Sequence, residues 1–202
     1  MTLSRKTYIF GKQSGDAERD GCRPPWHEST DCKPSSLAGI PGEQERVRLV
    51  GDGVYFWQNA PLRALNWATR TFAADGVVIE ADIEVSGFIN LLDTEWMSWL
   101  AEVHDQYLFE VKKKGQTPPL QTERAHRLDR EVINFGIEIL EENGHSVRGV
   151  IGSFREGRPV FPNSALYSES HVQIAVRDLS LITNCRILTA SEVPHARTIK
   201  HL

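Results

Sequence analysis

The stretch VGDGVYFWQNAPLRALNWA, residues 50–68, decides how the rest of the chain is read. Two glycines flank an aspartate, four apolar residues follow at once, and a helix begins within a few positions. Glycine lets a backbone turn sharply or lie close to another group. Val54 to Trp57 then read as a short buried strand. Asn59 is a good N-cap and Pro61 suits a first helical turn. Leu62, Leu65, Ala68 and Phe72 recur at helical spacing and predict a short amphipathic helix. The aromatic run is either ordinary core or the wall of a pocket that grips a flat ring.

Outward from this stretch the chain divides into three parts. On the N-terminal side, RKTYIFG predicts a short strand ending at Gly11. Residues 12–49 are dense in Pro, Gly, Ser and acidic residues and read as long irregular loops. On the C-terminal side, GVVIEADIEVSG alternates, with Val77, Ile79, Ala81, Ile83 and Val85 on one face. Glu80, Asp82 and Glu84 take the other, as in a half-buried strand. Two helices follow. One runs from a cap at Asp93 or Thr94, with Trp96, Leu100, Val103 and Tyr107 on its buried stripe and Trp99 off it. The other covers about 123–142, with Leu128, Val132, Phe135 and Ile139 inward and Gly144 as its C-cap. The last third is strands: SVRGVIG, SHVQIAVRD and LITNCRIL. Strands at both ends with helices segregated between them predict an α+β fold rather than a doubly wound parallel sheet.

Bulk composition narrows the function classes. The chain has 202 residues, of which 40% are hydrophobic and 25% charged, with a formal net charge of −4. That length suits one domain. The net charge gives no general attraction for nucleic acid or anionic lipid. The basic tail, residues 190–202, is where a nucleic-acid contact would be local. No apolar run approaches the ~20 residues that span a bilayer, and the N-terminal residues lack the apolar core of a signal peptide. Three cysteines without framework spacing fit a reducing cytoplasm. Cys22, His27 and Cys32 could supply three zinc ligands, but a fourth donor is not obvious nearby, so no metal is expected. The GDG turn is neither a P-loop nor a dinucleotide fingerprint, and no nucleophile elbow or His-Glu-x-x-His pair occurs.

One strand carries more chemistry than the others. In YSESHVQIAVRD, Val172, Ile174 and Val176 share one face, and Glu169, His171 and Gln173 share the other. A solvent-facing side of an antiparallel sheet accounts for such a row most simply. A ligand is the sharper alternative.

Four motifs in order resemble one family. GVYFW lies near the middle, Arg127-Leu128-Asp129 opens a helix, and Val147 to Val150 precedes a loop ending Gly157 to Pro162. His171 to Asp178 lies near the end. Together, from Val50 to about Leu188, they resemble ADP-ribosyltransferases of the diphtheria-toxin and poly(ADP-ribose) polymerase type, in particular small bacterial and phage-associated members. The resemblance implies split, mostly antiparallel β-sheets with helices between strands, and NAD as co-substrate. It implies that Tyr55 stacks on the nicotinamide ring, with Gly53, Phe56 and His171 among the cofactor contacts. Glu169, or alternatively Gln173, would hold the ribose hydroxyl beside the breaking glycosidic bond. The family's first-motif histidine is absent here, and Gln13-Ser14-Gly15 falls in its place. Gln13 and Ser14 would then meet the adenosine ribose. Arg148, Arg155 and Arg158 flank the loop that shapes acceptor recognition.

The implied activity is transfer of ADP-ribose to a protein or nucleic-acid acceptor. The setting is a cytoplasmic toxin or defence effector with a neutralising antitoxin, and no membrane partner. The alternative is a catalytically degenerate module of the same fold that binds NAD, ADP-ribose or a protein. The RNA 2′-phosphotransferases, on a related fold, rank last because their early histidines and arginines are missing.

Overall fold

The structure, a computed structural model, describes residues 4–12, 50–122, 126–188 and 191–193. The fold is α+β, with strands at both ends of the described chain and the long helices between them. Contacts divide the chain into two compact units. The described residues of the first fall within 4–12, 56–84 and 179–193, and those of the second within 50–55 and 85–178.

The first unit is an antiparallel sheet with one helix on it. Strand β1 (Ser4–Lys12) pairs along its whole length with β3 (Gly76–Glu84), from Ser4 opposite Glu84 to Lys12 opposite Gly76. On its other side β1 meets β2 (Val54–Gln58), with Tyr8 opposite Trp57. Strand β7 (Ile182–Leu188) pairs with β3 through a bulge between Glu80 and Asp82. Helix α1 (Pro61–Phe72) buries Ala64 and Ala68 with Tyr8, Trp57, Val78 and Leu188. The small alanines bring helix and strand close, so that a Cβ on Gly76 would lie 2.6 Å from the Ala68 backbone. Trp57 is 1% exposed, and burying a side chain of that size contributes ~3 kcal/mol.

Two expectations are corrected here. The residue at the N-cap of α1 is Ala60 with Pro61 after it, while Asn59 takes φ 52° and makes the turn instead. The β3 face holding Glu80 is not solvated. Glu80 is buried, accepting from Arg186 Nε at 2.8 Å and facing Lys6 Nζ at 3.3 Å. Burial alone would raise its carboxyl, but the hydrogen bonds from Arg186 and Lys6 outweigh that and hold it below the usual carboxylate range.

The second unit contains β4 (Phe88–Asn90), α2 (Thr94–Lys113), α3 (Arg127–Glu142), β5 (Gly149–Phe154) and β6 (His171–Val176). β4 pairs with β5 in parallel, the two helices forming the crossover that a parallel pair requires. β5 and β6 are antiparallel, from Gly149 opposite Val176 to Phe154 opposite His171. Asp93 caps α2, its carboxylate accepting from Glu95 N–H. Val103, Tyr107 and Val111 pack with Val132 of α3. Trp99 belongs to this packing after all, because Gly136 gives it room: a Cβ there would lie 2.7 Å from the indole. Helix α3 begins at Arg127, and residues 123–125 of its expected span lie outside the described residues. Among the described residues no helix is long and apolar enough to cross a membrane.

Candidate functional site

The turn at residues 50–55 belongs to the second unit, and its two glycines have internal explanations. Gly51 takes φ 84°, and a Cβ there would lie 2.8 Å from Asn134 Oδ1 on α3. Asn134 accepts from Asp52 N–H at 3.0 Å, and Asp52 is bridged by Arg130 Nη2 at 3.0 Å. A Cβ on Gly53 would lie 2.9 Å from the Val176 carbonyl. The backbone that needs Gly53 to be glycine is therefore that of Val176, in β6.

Tyr55 is 5% exposed and packs among Val50, Ile89, Ile133, Ile137 and Val150. Its hydroxyl closes the turn, donating to the Gly51 carbonyl and accepting from Val50 N–H at 3.2 Å. In this structure the ring is core, where the resemblance would have it exposed to a nicotinamide ring. Phe56, the next residue, is fully buried in the first unit. Gln13, Ser14 and the trio Cys22, His27 and Cys32 lie outside the described residues.

The polar face of β6 is the chemically distinctive part of the second unit. It does not meet solvent as a solvated face would, because His171 is 8% exposed and Gln173 2%. His171 Nδ1 lies 2.7 Å from the Glu169 carbonyl, which can only accept, so Nδ1 carries the proton. That leaves Nε2 to accept from the Gln173 amide nitrogen at 2.9 Å. The imidazole is thereby oriented through both of its nitrogens. Gln173 Oε1 is buried and has no hydrogen-bond partner among the described residues. A buried acceptor left unmatched costs ~1–3 kcal/mol, which a ligand donor such as a sugar hydroxyl would offset.

Glu169 stands just before β6 and is half-buried. Its N–H donates to the Glu156 carbonyl at 3.1 Å. Gly157, at φ 83°, leaves room for its stem, since a Cβ there would fall 3.0 Å from Glu169 Cγ. The structure thus brings Glu169, His171 and Gln173 together at one end of β6, with the Glu169 carbonyl bonded to the imidazole.

Residues 155–170 continue the β5–β6 hairpin as a hydrogen-bonded arm. Ser168 N–H donates to the Arg158 carbonyl at 2.9 Å and Val160 N–H to that of Leu166 at 3.0 Å, and Pro159 bridges Tyr167. The Arg155 guanidinium lies 4.5 Å from the centre of the Tyr167 ring. Val160, Phe161 and Leu166 are exposed at the tip. Arg155 and Arg158 are on this arm, but Arg148 is not. It precedes β5 at the opposite end, where its Nε and Nη2 both donate to Asp178 Oδ2, at 3.1 and 2.9 Å. A strand of this length, at ~3.3 Å per residue, separates it from the other two by ~20 Å. The grouping of the three arginines is corrected accordingly.

The sequence reading gave no role to His126, Gln121 or Phe154. The Phe154 ring contacts two imidazoles, with centroids 6.0 Å from His126 and 6.1 Å from His171. The motif Arg127-Leu128-Asp129 was a signal in reach, because it stands directly beside His126. No protein-family model, curated protein or solved structure matches this chain.

Proposed function

We propose that the chain is an ADP-ribosyltransferase of the diphtheria-toxin and poly(ADP-ribose) polymerase type. It would take NAD as co-substrate and pass ADP-ribose to a protein or nucleic-acid acceptor, as a cytoplasmic bacterial or phage toxin or defence effector. The observation that carries the reading is the group at the start of β6. Glu169, an oriented His171 and an unmatched Gln173 acceptor occupy the segment in which the resemblance expects contact with the ribose.

In this reading Gln173 Oε1 accepts from a ribose hydroxyl. The Glu169 carboxylate stabilises positive charge as the ribose becomes oxocarbenium-like. The C1′–N bond breaks with its electron pair leaving on nicotinamide, and the acceptor nucleophile adds at C1′. His171, pinned on both nitrogens, positions Gln173.

A second reading is a degenerate binding module for NAD, ADP-ribose or a protein. Two observations favour it. The side chain bonded to His171 Nε2 is the Gln173 amide, and the Tyr55 ring is core.

Nicotinamide release from labelled NAD, with transfer of label in a cell lysate, separates the two. The wild-type protein is expected to release nicotinamide, and Glu169→Ala to lower kcat ~100-fold or more. A silent wild-type protein alongside an active Gln173→Glu variant would establish the module reading instead, with Gln173 in place of the catalytic carboxylate.

A further inference from the structure

His126 stands at the N-cap position of α3, yet its side chain makes no cap hydrogen bond. Gln121 supplies that bond from outside the helix, its Oε1 accepting from Leu128 N–H at 3.1 Å. The imidazole is therefore not needed to start the helix. It is instead oriented. His126 Nδ1 lies 3.3 Å from Asp129 Oδ2, and the Gln121 amide nitrogen lies 2.6 Å from the same carboxylate oxygen. That amide nitrogen is also 3.3 Å from Nδ1, so two tautomers compete. The carboxylate decides between them. It can only accept, and a charge-assisted bond outweighs one from a neutral amide, so Nδ1 carries the proton.

The consequence is a basic Nε2 with no hydrogen-bond partner among the described residues. The side chain is 23% exposed, sheltered but open to a solute. A histidine whose Nδ1–H is fixed by a carboxylate and whose Nε2 is unengaged is the arrangement a general base requires. Its place in the unit is also informative. The ring meets Phe154 edge-on, and Phe154 in turn lies against His171, whose Nδ1–H is bonded to the Glu169 carbonyl. Phe154 thus contacts both a ring at the N-cap of α3 and a ring at the start of β6. His171 cannot serve as the base, because both of its nitrogens are taken.

We infer that His126, oriented by Asp129, is the proton acceptor for an O–H nucleophile at the Glu169–Gln173 site. The inference rests on the transfer proposed above. In the step, the nucleophile's oxygen forms a bond to C1′ of the ribose as the C1′–N bond breaks. Its proton passes to His126 Nε2, and nicotinamide leaves with the electron pair. The imidazolium formed is stabilised by Asp129. With water as nucleophile the products are ADP-ribose, nicotinamide and one proton.

The test compares two nucleophiles on the full chain, water and azide, with nicotinamide release from NAD as the common readout. Azide carries no proton and needs no base. His126→Gln is expected to lower kcat for hydrolysis ~100-fold or more, with little change in KM, because a base acts only in the transition state. The azide-dependent release should remain within about threefold of wild type. Asp129→Asn should lower hydrolysis in the same selective way, and the imidazole nitrogen spectrum of the wild-type protein should report His126 as the Nδ1–H tautomer. Equal loss of both reactions in His126→Gln would show a binding or folding role and overturn the inference, as would no loss of either. Both outcomes leave the transferase reading standing. A wild-type protein silent with water and with azide overturns both.

Discussion

Replacing Tyr55 tests whether the glycine-flanked aromatic stretch is core or ligand wall, and two substitutions divide the question. Tyr55→Phe removes one oxygen. Val50 is fully buried, and its N–H would lose the hydroxyl that accepts from it, while the Gly51 carbonyl would lose its donor. A buried group left unmatched costs ~1–3 kcal/mol, and both groups belong to one turn, so we expect a loss of about 2 kcal/mol in all. Tyr55→Ala also removes the ring from its place among Val50, Ile89, Ile133, Ile137 and Val150. Aromatic-to-alanine changes in a packed core cost ~3–5 kcal/mol, set by how far the site collapses. Against a total of ~5–15 kcal/mol for a folded domain, that is a large fraction.

The assay is urea unfolding of the ligand-free protein, followed by circular dichroism. A ring that is core lowers the midpoint in the order wild type, Phe, Ala, with the slope unchanged. A ring offered to nicotinamide behaves oppositely. Its removal would leave the ligand-free protein within about 0.5 kcal/mol of wild type, as for ordinary surface changes, and would weaken NAD binding instead. That second pattern would refute the placement of Tyr55 described above.

Two further outcomes follow from the same packing and from the buried ion cluster. Gly53→Ala is expected to cost ~1–3 kcal/mol by the same unfolding assay, because its Cβ would sit 2.9 Å from the Val176 carbonyl and the turn would have to draw away from β6. In the first unit, burial and the neighbouring Glu80 carboxylate push the Tyr8 phenol up to about 12 from 10.0. The folded value lies above the unfolded one, so this contribution to stability is intact below pH 10.0 and is lost as pH rises toward about 12. Glu80 runs the other way. Its folded value is depressed, so its contribution is present above the ordinary carboxylate range and is lost as pH falls through the folded value. Tyrosinate absorbance should show the Tyr8 phenol titrating late, and Glu80→Gln should bring it part of the way back toward 10.0, burial remaining, while removing the share of the acid limb that Glu80 supplies.

Much of the fold was legible because period and punctuation agree. Alternation gave β3, helical spacing gave α1 and α2, and the Asn143-Gly144 stop closed α3. The misses have physical causes that lie far away in the chain. Glu80 looked solvated because alternation reports only which side a residue faces. It cannot show that Arg186 and Lys6 cover that side. Trp99 looked off the buried stripe of α2 because its place exists only through the absent side chain of Gly136. Strand β4 has three residues, too few for a period to register.

The site is harder to read than the fold, and the reason is specific. Aromatics after a glycine-flanked turn have the same composition whether the turn docks on a ligand or on the chain itself. Gly51 docks on Asn134, Gly53 on Val176, and the Tyr55 hydroxyl on its own turn, so internal partners account for each residue that made the stretch look like a pocket. Along β6 the logic reverses. The polar row looked like an ordinary solvated face, yet it is buried, and its amide oxygen lacks a partner. Burial raises the cost of every unmatched polar atom, so chemistry is better sought at Gln173, where satisfaction fails, than at Tyr55, where it is complete. The same reasoning separates the two histidines in contact with Phe154. His171 is engaged on both nitrogens and can only position its neighbours, whereas His126 is engaged on one and retains a basic nitrogen for work.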